Sequence, residues 1–305
     1  MPKLRRPRAT MSLGGLSPRQ IAVGMWKRMA EHDAMTWSAA VAFYAMLATV
    51  PFLALILVAV VLRLPDLSGA DRHTTGLGNL TVDQLDATLR SLFPNEAYVL
   101  VRDQIAHIQS GPPFALLSLG AVISLWSASS LFLVVIDALN RTYGVKETRS
   151  FVKLRLRAIA MMLIQAACLL GSLVAIVAWP QILRMLGLDP NGAVAWVATA
   201  VRWSAVFLMV LLSFALTFYV GPNTRQRWSW VTPGSLAGTI AVLAFCILFR
   251  LYVQNFGSYN KSLGALGGVM VLLSWFWVVA LVLLGAAEMD RVIEAGSPID
   301  RPPAS

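Results

Sequence analysis

The sequence predicts an all-α protein that crosses a membrane six times, and three observations predict it. Six apolar runs, 37–62, 114–136, 158–179, 196–220, 231–252 and 265–288, each have the length of a membrane-spanning helix. At about 1.5 Å per residue, roughly 20 apolar residues cover a hydrocarbon core of about 30 Å. Three of the runs contain no Asp, Glu, Lys or Arg, and the others hold only Arg202, Arg250 and Glu288, each nearer an end than the middle. A soluble core helix would show a polar face at 3.6-residue spacing, which these runs mostly lack. The composition agrees, with 57% hydrophobic and 13% charged residues and a mean hydropathy of +0.68.

In chain order, residues 1–15 are basic with Pro and Gly and are expected to lack fixed structure. Ser17-Pro18 supplies an N-cap and a proline at the first helical position. Ile21, Met25, Trp26 and Met29 then share one side of a helix, with Lys27, Arg28, Glu31 and His32 elsewhere. Residues 16–36 are therefore expected to form an interfacial amphipathic helix. The first apolar run starts too late and runs too long for a cleaved signal peptide, so it is expected to remain as the first spanning helix.

The loop 63–113 is expected outside as a small helical cap. Thr81-Val82-Asp83-Gln84 has the form of a capping box, Pro94 stops that helix, and Val101, Ile105 and Ile108 mark an amphipathic successor. Pro180, Pro190 and Gly192 punctuate the link between spans 3 and 4, and Thr232-Pro233 opens span 5. Small residues spaced by four (Ala167, Gly171 and Ala175; Gly234 and Gly238; Ser38 and Ala42) mark where helices can approach closely. Residues 289–305 form the tail.

The net charge of +10 follows topology. With the amino terminus inside, 17 of the 25 Lys and Arg residues fall on cytoplasmic segments, six of them in 137–157. The positive-inside rule then places both termini in the cytoplasm. The surplus favours anionic lipid, and membrane lipids are the expected partners. A nucleic-acid surface would need basic and aromatic residues on one folded face, so no nucleic-acid partner is expected. Cys168 and Cys246 lack metal or redox spacing and read as small buried apolar residues.

The last third carries a resemblance. Phe256-Gly-Ser-Tyr259-Asn260-Lys261-Ser-Leu-Gly264-Ala-Leu-Gly267, followed by an apolar run with Trp275 and by Leu284-Gly285-Ala-Ala-Glu288, resembles the carboxy-terminal signature of the YihY/virulence factor BrkB family. Upstream, Asp33 with Ala39-Ala40, Phe43-Tyr44 and Pro51 is similar to that family's first span. Leu125-Trp126-Ser127-Ala-Ser129 with Leu139-Asn140-Arg141-Thr-Tyr143, and Tyr219, Pro222 and Asn223 with Pro233-Gly234, resemble later parts. The resemblance covers about residues 25 to 290. It implies a six-helix bacterial inner-membrane protein from a family once named for ribonuclease BN. Two departures stand out. Ser262-Leu263-Gly264 replaces the family's Thr-Tyr-Gly, and Ala287 separates Gly285-Ala286 from Glu288, turning glycine and glutamate by about 100° relative to each other. No role is therefore carried onto Glu288.

Metal-dependent cleavage of RNA needs clustered carboxylates or histidines. His32, His73 and His107 lie on different segments, and His32 is expected across the membrane from the other two. No Walker A loop is present. The chain is expected not to be an enzyme, with no cofactor. Its expected activity is ATP-independent movement of an anionic or amphipathic molecule, a lipid included. A membrane scaffold is the alternative, a tRNA-processing ribonuclease stands third, and a homo-oligomer stays open.

The candidate contacts are polar residues within or beside the spans. Ser127 and Ser130 lie with Ser124 on one face of span 2, suited to interhelical hydrogen bonding or to a substrate path, and Asn140 follows at its inner end. Asp137 and Arg141 have i,i+4 pairing distance. Arg202 and Arg250 are expected at the outer side. They either snorkel to lipid phosphate or form, with Lys261, a cationic vestibule for an anionic substrate. Tyr259 and Asn260 belong to a glycine-rich segment that reads equally as a tight outer turn or as a substrate-contacting re-entrant turn.

Overall fold

Seven helices account for nearly all the residues that the structure, a computed structural model, describes: 15–61, 115–177, 195–224, 231–256 and 265–296. They are α1 (Pro18–Glu31), α2 (Ala34–Val61), α3 (Ala115–Thr142), α4 (Phe151–Val177), α5 (Ala195–Val220), α6 (Pro233–Phe256) and α7 (Ala265–Gly296). Five contain stretches long and apolar enough to cross a membrane: Val122–Thr142, Phe151–Ile176, Trp196–Val220, Pro233–Val253 and Gly267–Gly296. The run expected from 37 falls in α2 as far as Val61, and Ala34–Thr49 within it forms a shorter apolar stretch. Pro51 sits inside α2, where it removes one backbone donor. The expected outer cap, and Tyr259, Asn260 and Lys261, lie outside the described residues.

The chain divides into two compact units, Met1–Met46 with Ser129–Ser305, and Leu47–Ala128. Described side chains of the second unit are few; Ser127 is exposed there. Within the first unit, α4 packs on α5, α5 on α6, α6 on α7, and α7 on α1. Large apolar side chains such as Val197, Leu208, Ile247 and Leu248 face outward. On a water-soluble bundle that surface would be an interaction patch; on spanning helices it faces lipid.

Helix starts and stops follow local chemistry. The Ser17 hydroxyl accepts from the Gln20 amide while the Gln20 side chain accepts from the Ser17 amide, a capping box with Pro18 behind it. The segment expected as one interfacial helix over 16–36 is broken at His32-Asp33, where Asp33 adopts φ 52°. A short polar side chain tolerates that left-handed conformation better than most. α3 ends in a Schellman motif: the Val145 amide donates to the Asn140 carbonyl, the Gly144 amide donates to the Arg141 carbonyl, and Gly144 takes φ 62°.

Three helices run past their apolar runs. α3 continues to Thr142, α4 begins at Phe151 instead of 158, and α7 continues to Gly296 instead of stopping at 288. In each case the added turns carry charge: Asp137 and Arg141; Lys153, Arg155 and Arg157; Asp290, Arg291 and Glu294. Hydropathy marks the hydrocarbon span, whereas backbone hydrogen bonding sets the helix, which continues into the polar layer.

The small-residue stripes are largely used within the chain. A methyl added at Gly234 would lie 2.2 Å from the Ala286 carbonyl oxygen, and one at Gly238 would lie 2.6 Å from the Phe214 ring. At Gly171 it would meet Met209 at 3.3 Å. Such close backbone approach is the packing mode of helices in lipid.

Candidate functional site

Buried charge collects at one end of the α1–α7–α6 layer. Glu288 and Asp290 lie two residues apart on α7, hence about 200° apart around its axis, so they point at different neighbours. Glu288 is fully buried and faces α1. Its Oε2 accepts from the Arg28 Nε at 2.9 Å, and its Oε1 lies 2.5 Å from the His32 Nδ1. Arg28 also reaches the Thr142 carbonyl at the end of α3, at 3.5 Å. Asp290 faces α6 and accepts from the Thr232 hydroxyl at 2.6 Å and from the Gly234 amide at 2.7 Å. It thereby satisfies a donor in the first turn of α6 from a neighbouring helix. α1 runs antiparallel to this end of α7, since Gly24 faces Val292 and Met29 faces Gly285.

A second polar knot joins the α3–α4 loop to the turn after α5. Asn140 is buried. Its Nδ2 donates to Glu147 at 2.8 Å and its Oδ1 accepts from the Asn223 amide at 2.7 Å. The Asn223 Nδ2 donates to the Lys146 carbonyl and to the Thr148 hydroxyl. The Arg149 guanidinium donates to the carbonyls of Gly221 and Pro222, at 3.2 and 2.6 Å. A side chain at Gly221 would collide with Leu139 and with the Thr217 carbonyl, so the turn needs glycine there. Burial first, and then the neighbouring Arg157 charge, hold Arg149 below the usual arginine value, while Glu147 pulls it back up.

This knot forms one wall of an open cleft of about 600 Å³, lined by Thr148, Arg149, Lys153, Leu156, Arg157, Asn223 and Thr224. Among the described residues three cations and no carboxylate line it, although Arg149 is paired with Glu147 at 3.5 Å. The Arg157 Nη1 donates to the Val220 carbonyl at 3.1 Å. The Thr224 hydroxyl is buried and has no hydrogen-bond partner among the described residues.

A third set of polar groups runs along α4, first against α3 and then against α5. Arg155, 5% exposed, donates from both terminal nitrogens to the Ser130 hydroxyl. Further along, the Ser213 hydroxyl donates to the Gln165 Oε1 at 2.5 Å, and the Gln165 Nε2 donates to the Thr217 hydroxyl at 2.5 Å. With Gln165 opposite Ser213 and Thr217, and Gly171 opposite Met209, the two helices are antiparallel. Arg202 therefore lies beside the far end of α4, about 35 Å along the axis from Arg155. Its Nε is buried without a partner among the described residues, and its guanidinium carbon sits 5.7 Å from the Trp203 ring centre.

The residues expected from sequence thus have different fates. Asn140 and Ser130 stand at the centre of polar contacts. Among the described residues no interaction joins Arg202 to Arg250, which is exposed. Arg141 makes no ion pair with Asp137; it lies over the Trp37 ring at 4.7 Å. Glu288, onto which no role was carried, proves the most buried carboxylate described. Its partners are Arg28 in the last turn of α1 and His32 at its C-cap, four residues on, so basic residues at i,i+4 at the end of an amphipathic helix are the local signal for them.

Comparison with known proteins agrees with this architecture. The family model described as Virulence factor BrkB matches residues 25–304, from within α1 onward. The "Putative ribonuclease-like protein YfkH" of Bacillus subtilis (strain 168) is 26% identical over 273 residues, 88% of this chain and 93% of that protein. A "UPF0761 membrane protein" of Aeromonas salmonicida (strain A449) is 33% identical over 129 residues, 42% of this chain and 43% of the relative. Another of the same name from Tolumonas auensis is 32% identical over 90 residues, 28% and 29% of the two chains, so these matches span less than half of either relative. No solved structure matches the chain. The apolar helices and the membrane-protein relatives make it a multi-pass protein of the bacterial inner membrane. The chain belongs to the Virulence factor BrkB family.

Proposed function

We propose that the protein moves an anionic or amphipathic molecule, a lipid included, across the bilayer by an ATP-independent route, with both termini cytoplasmic and six spans. The polar track along the α4–α5 seam carries this reading. Cations stand at its two ends, Arg157 against Val220 and Arg202, with Gln165, Ser213 and Thr217 between them, over a length close to a bilayer core. Charged side chains inside spanning segments are costly, and they mark substrate paths. A scaffold would use small-residue faces to bind neighbours, yet Gly171, Gly234 and Gly238 are already packed within the chain. The ribonuclease-like name of one relative finds little support in the carboxylate chemistry. Glu288 is held by a guanidinium and an imidazole, and a cation beside it opposes binding of a second cation. Among the described residues no three His, Cys, Asp or Glu side chains gather to hold a metal ion.

Proteoliposomes carrying a fluorescent phosphatidylglycerol, without ATP, test the reading. Wild type should exchange the lipid between leaflets faster than protein-free vesicles. Arg202→Gln should cut that rate about tenfold, the loss expected for one charge-assisted hydrogen bond. Arg202→Lys should restore it only in part, because an ammonium offers no planar fork. Exchange no faster than in empty vesicles, for this lipid and for soluble anions, would leave the scaffold.

A further inference from the structure

The open cleft beside the α3–α4 loop has a chemistry that its position alone does not require. Basic residues on cytoplasmic loops are expected in any inner-membrane protein, and a scatter of them attracts anionic lipid without a site. Here Arg149, Lys153 and Arg157 line one concavity with no carboxylate among the lining residues. Lys153 and Arg157 are four apart on α4, so both face the same side, and Arg149 is fixed by the carbonyls of Gly221 and Pro222. The backbone turn that bears Thr224 is tied down by Asn223, so the donors are held before any ligand arrives.

Two hydroxyl-bearing residues, Thr148 and Thr224, complete the lining. Thr148 accepts from Asn223, which leaves its own proton free to be donated. The Thr224 hydroxyl is buried with no partner among the described residues, and a buried hydroxyl without a partner is destabilising. A ligand with several acceptor oxygens would satisfy it. Beyond the cleft, Leu156, Ala160, Leu163 and Ala167 follow at i, i+4, i+7 and i+11 on α4, all exposed. This apolar stripe leads from the cations along the spanning helix.

We propose that this cleft binds a phosphoryl group, with Lys153 and Arg157 supplying charge, Thr148 and Thr224 donating to its oxygens, and the α4 stripe receiving an acyl chain where the group belongs to a lipid. This deepens the transport reading by naming the substrate class, and rests on it for the further step that the bound molecule is moved.

The full chain in phosphatidylcholine nanodiscs, titrated calorimetrically with dioctanoyl phosphatidic acid, tests the site. Wild type should bind saturably, and dioctanoylglycerol, which lacks the phosphate, should not bind. Lys153→Gln should weaken binding about tenfold. Thr224→Val should weaken it severalfold while leaving Tm unchanged or raised, because valine is nearly isosteric and removes an unsatisfied hydroxyl. Surface attraction alone predicts no effect of Thr224→Val, which keeps the charge. Displacement by millimolar inorganic phosphate supports the site with the phosphoryl group as a sufficient ligand. Lipid binding that phosphate does not displace supports it with the lipid as the source. Non-saturable binding, or equal affinities for wild type, Lys153→Gln and Thr224→Val, would overturn the proposal. Arg202→Gln should leave this binding intact. Binding without leaflet exchange would therefore refute the transport reading alone, and exchange unaffected by the cleft variants would refute the cleft as its substrate site.

Discussion

Replacing Glu288 with alanine is expected to loosen α1 from α7 and to cost about 2–3 kcal/mol. Breaking a buried ion pair by removing one member costs about 3–5 kcal/mol, because the surviving charge loses its partner without regaining water. The lower figure follows from solvent access: Arg28 and His32 keep about a quarter of their side-chain surface exposed, so both can rehydrate in part. A loss of that size lowers Tm by roughly 5–10 °C in a protein of this length. Trypsin cleavage at Lys27 and Arg28 should accelerate as α1 frees itself, since Lys27 is already exposed. Arg28→Ala should cost less, because Glu288 would keep the His32 contact. Equal cleavage rates in wild type and Glu288→Ala would show that this ion pair does not hold α1 in place.

Gly234→Ala should have an effect of similar or greater size through a different cause. The added methyl would sit 2.2 Å from the Ala286 carbonyl oxygen and 2.6 Å from the Asp290 carboxyl carbon, so α6 and α7 must separate. Overpacking typically costs about 1–3 kcal/mol, and separation also strains the bond from the Gly234 amide to Asp290. Gly268→Ala is the matched control. Among the described residues nothing lies within 4 Å of a methyl there, and alanine is the better helix former by up to about 1 kcal/mol. Thermal unfolding should therefore show the first variant destabilised and the second unchanged or stabilised. A Gly234→Ala protein as stable as Gly268→Ala would contradict the close packing of α6 on α7.

The spans were legible in the sequence because burial in lipid demands uninterrupted apolar residues, and that demand is local. The helix ends were less so. Lys153, Arg155 and Arg157 end an apolar run without ending a helix, and so do Asp290, Arg291 and Glu294. Polar residues that the structure hydrogen-bonds were legible where one segment carried the signal, as with Asn140 at the inner end of span 2 and Ser130 on its serine face. Glu288 shows the limit. Its partners lie 256 and 260 residues away, and its altered spacing from Gly285 made a motif-based assignment unsafe. Nor does one sequence show that the loop after α3 and the turn after α5 meet, which is what creates the cleft.

Whether that cleft opens to the cytoplasm, with Arg202 toward the other side, is tested most directly by impermeant thiol labelling in intact cells. On a background with Cys168 and Cys246 replaced by alanine, a cysteine at Thr75 should label, while cysteines at Ser12 and Ala304 should be shielded until the membrane is breached. Labelling at Ser12 with protection at Thr75 would invert the molecule, put the basic cleft outside, and contradict a two-sided path that takes an anion from the cytoplasmic face.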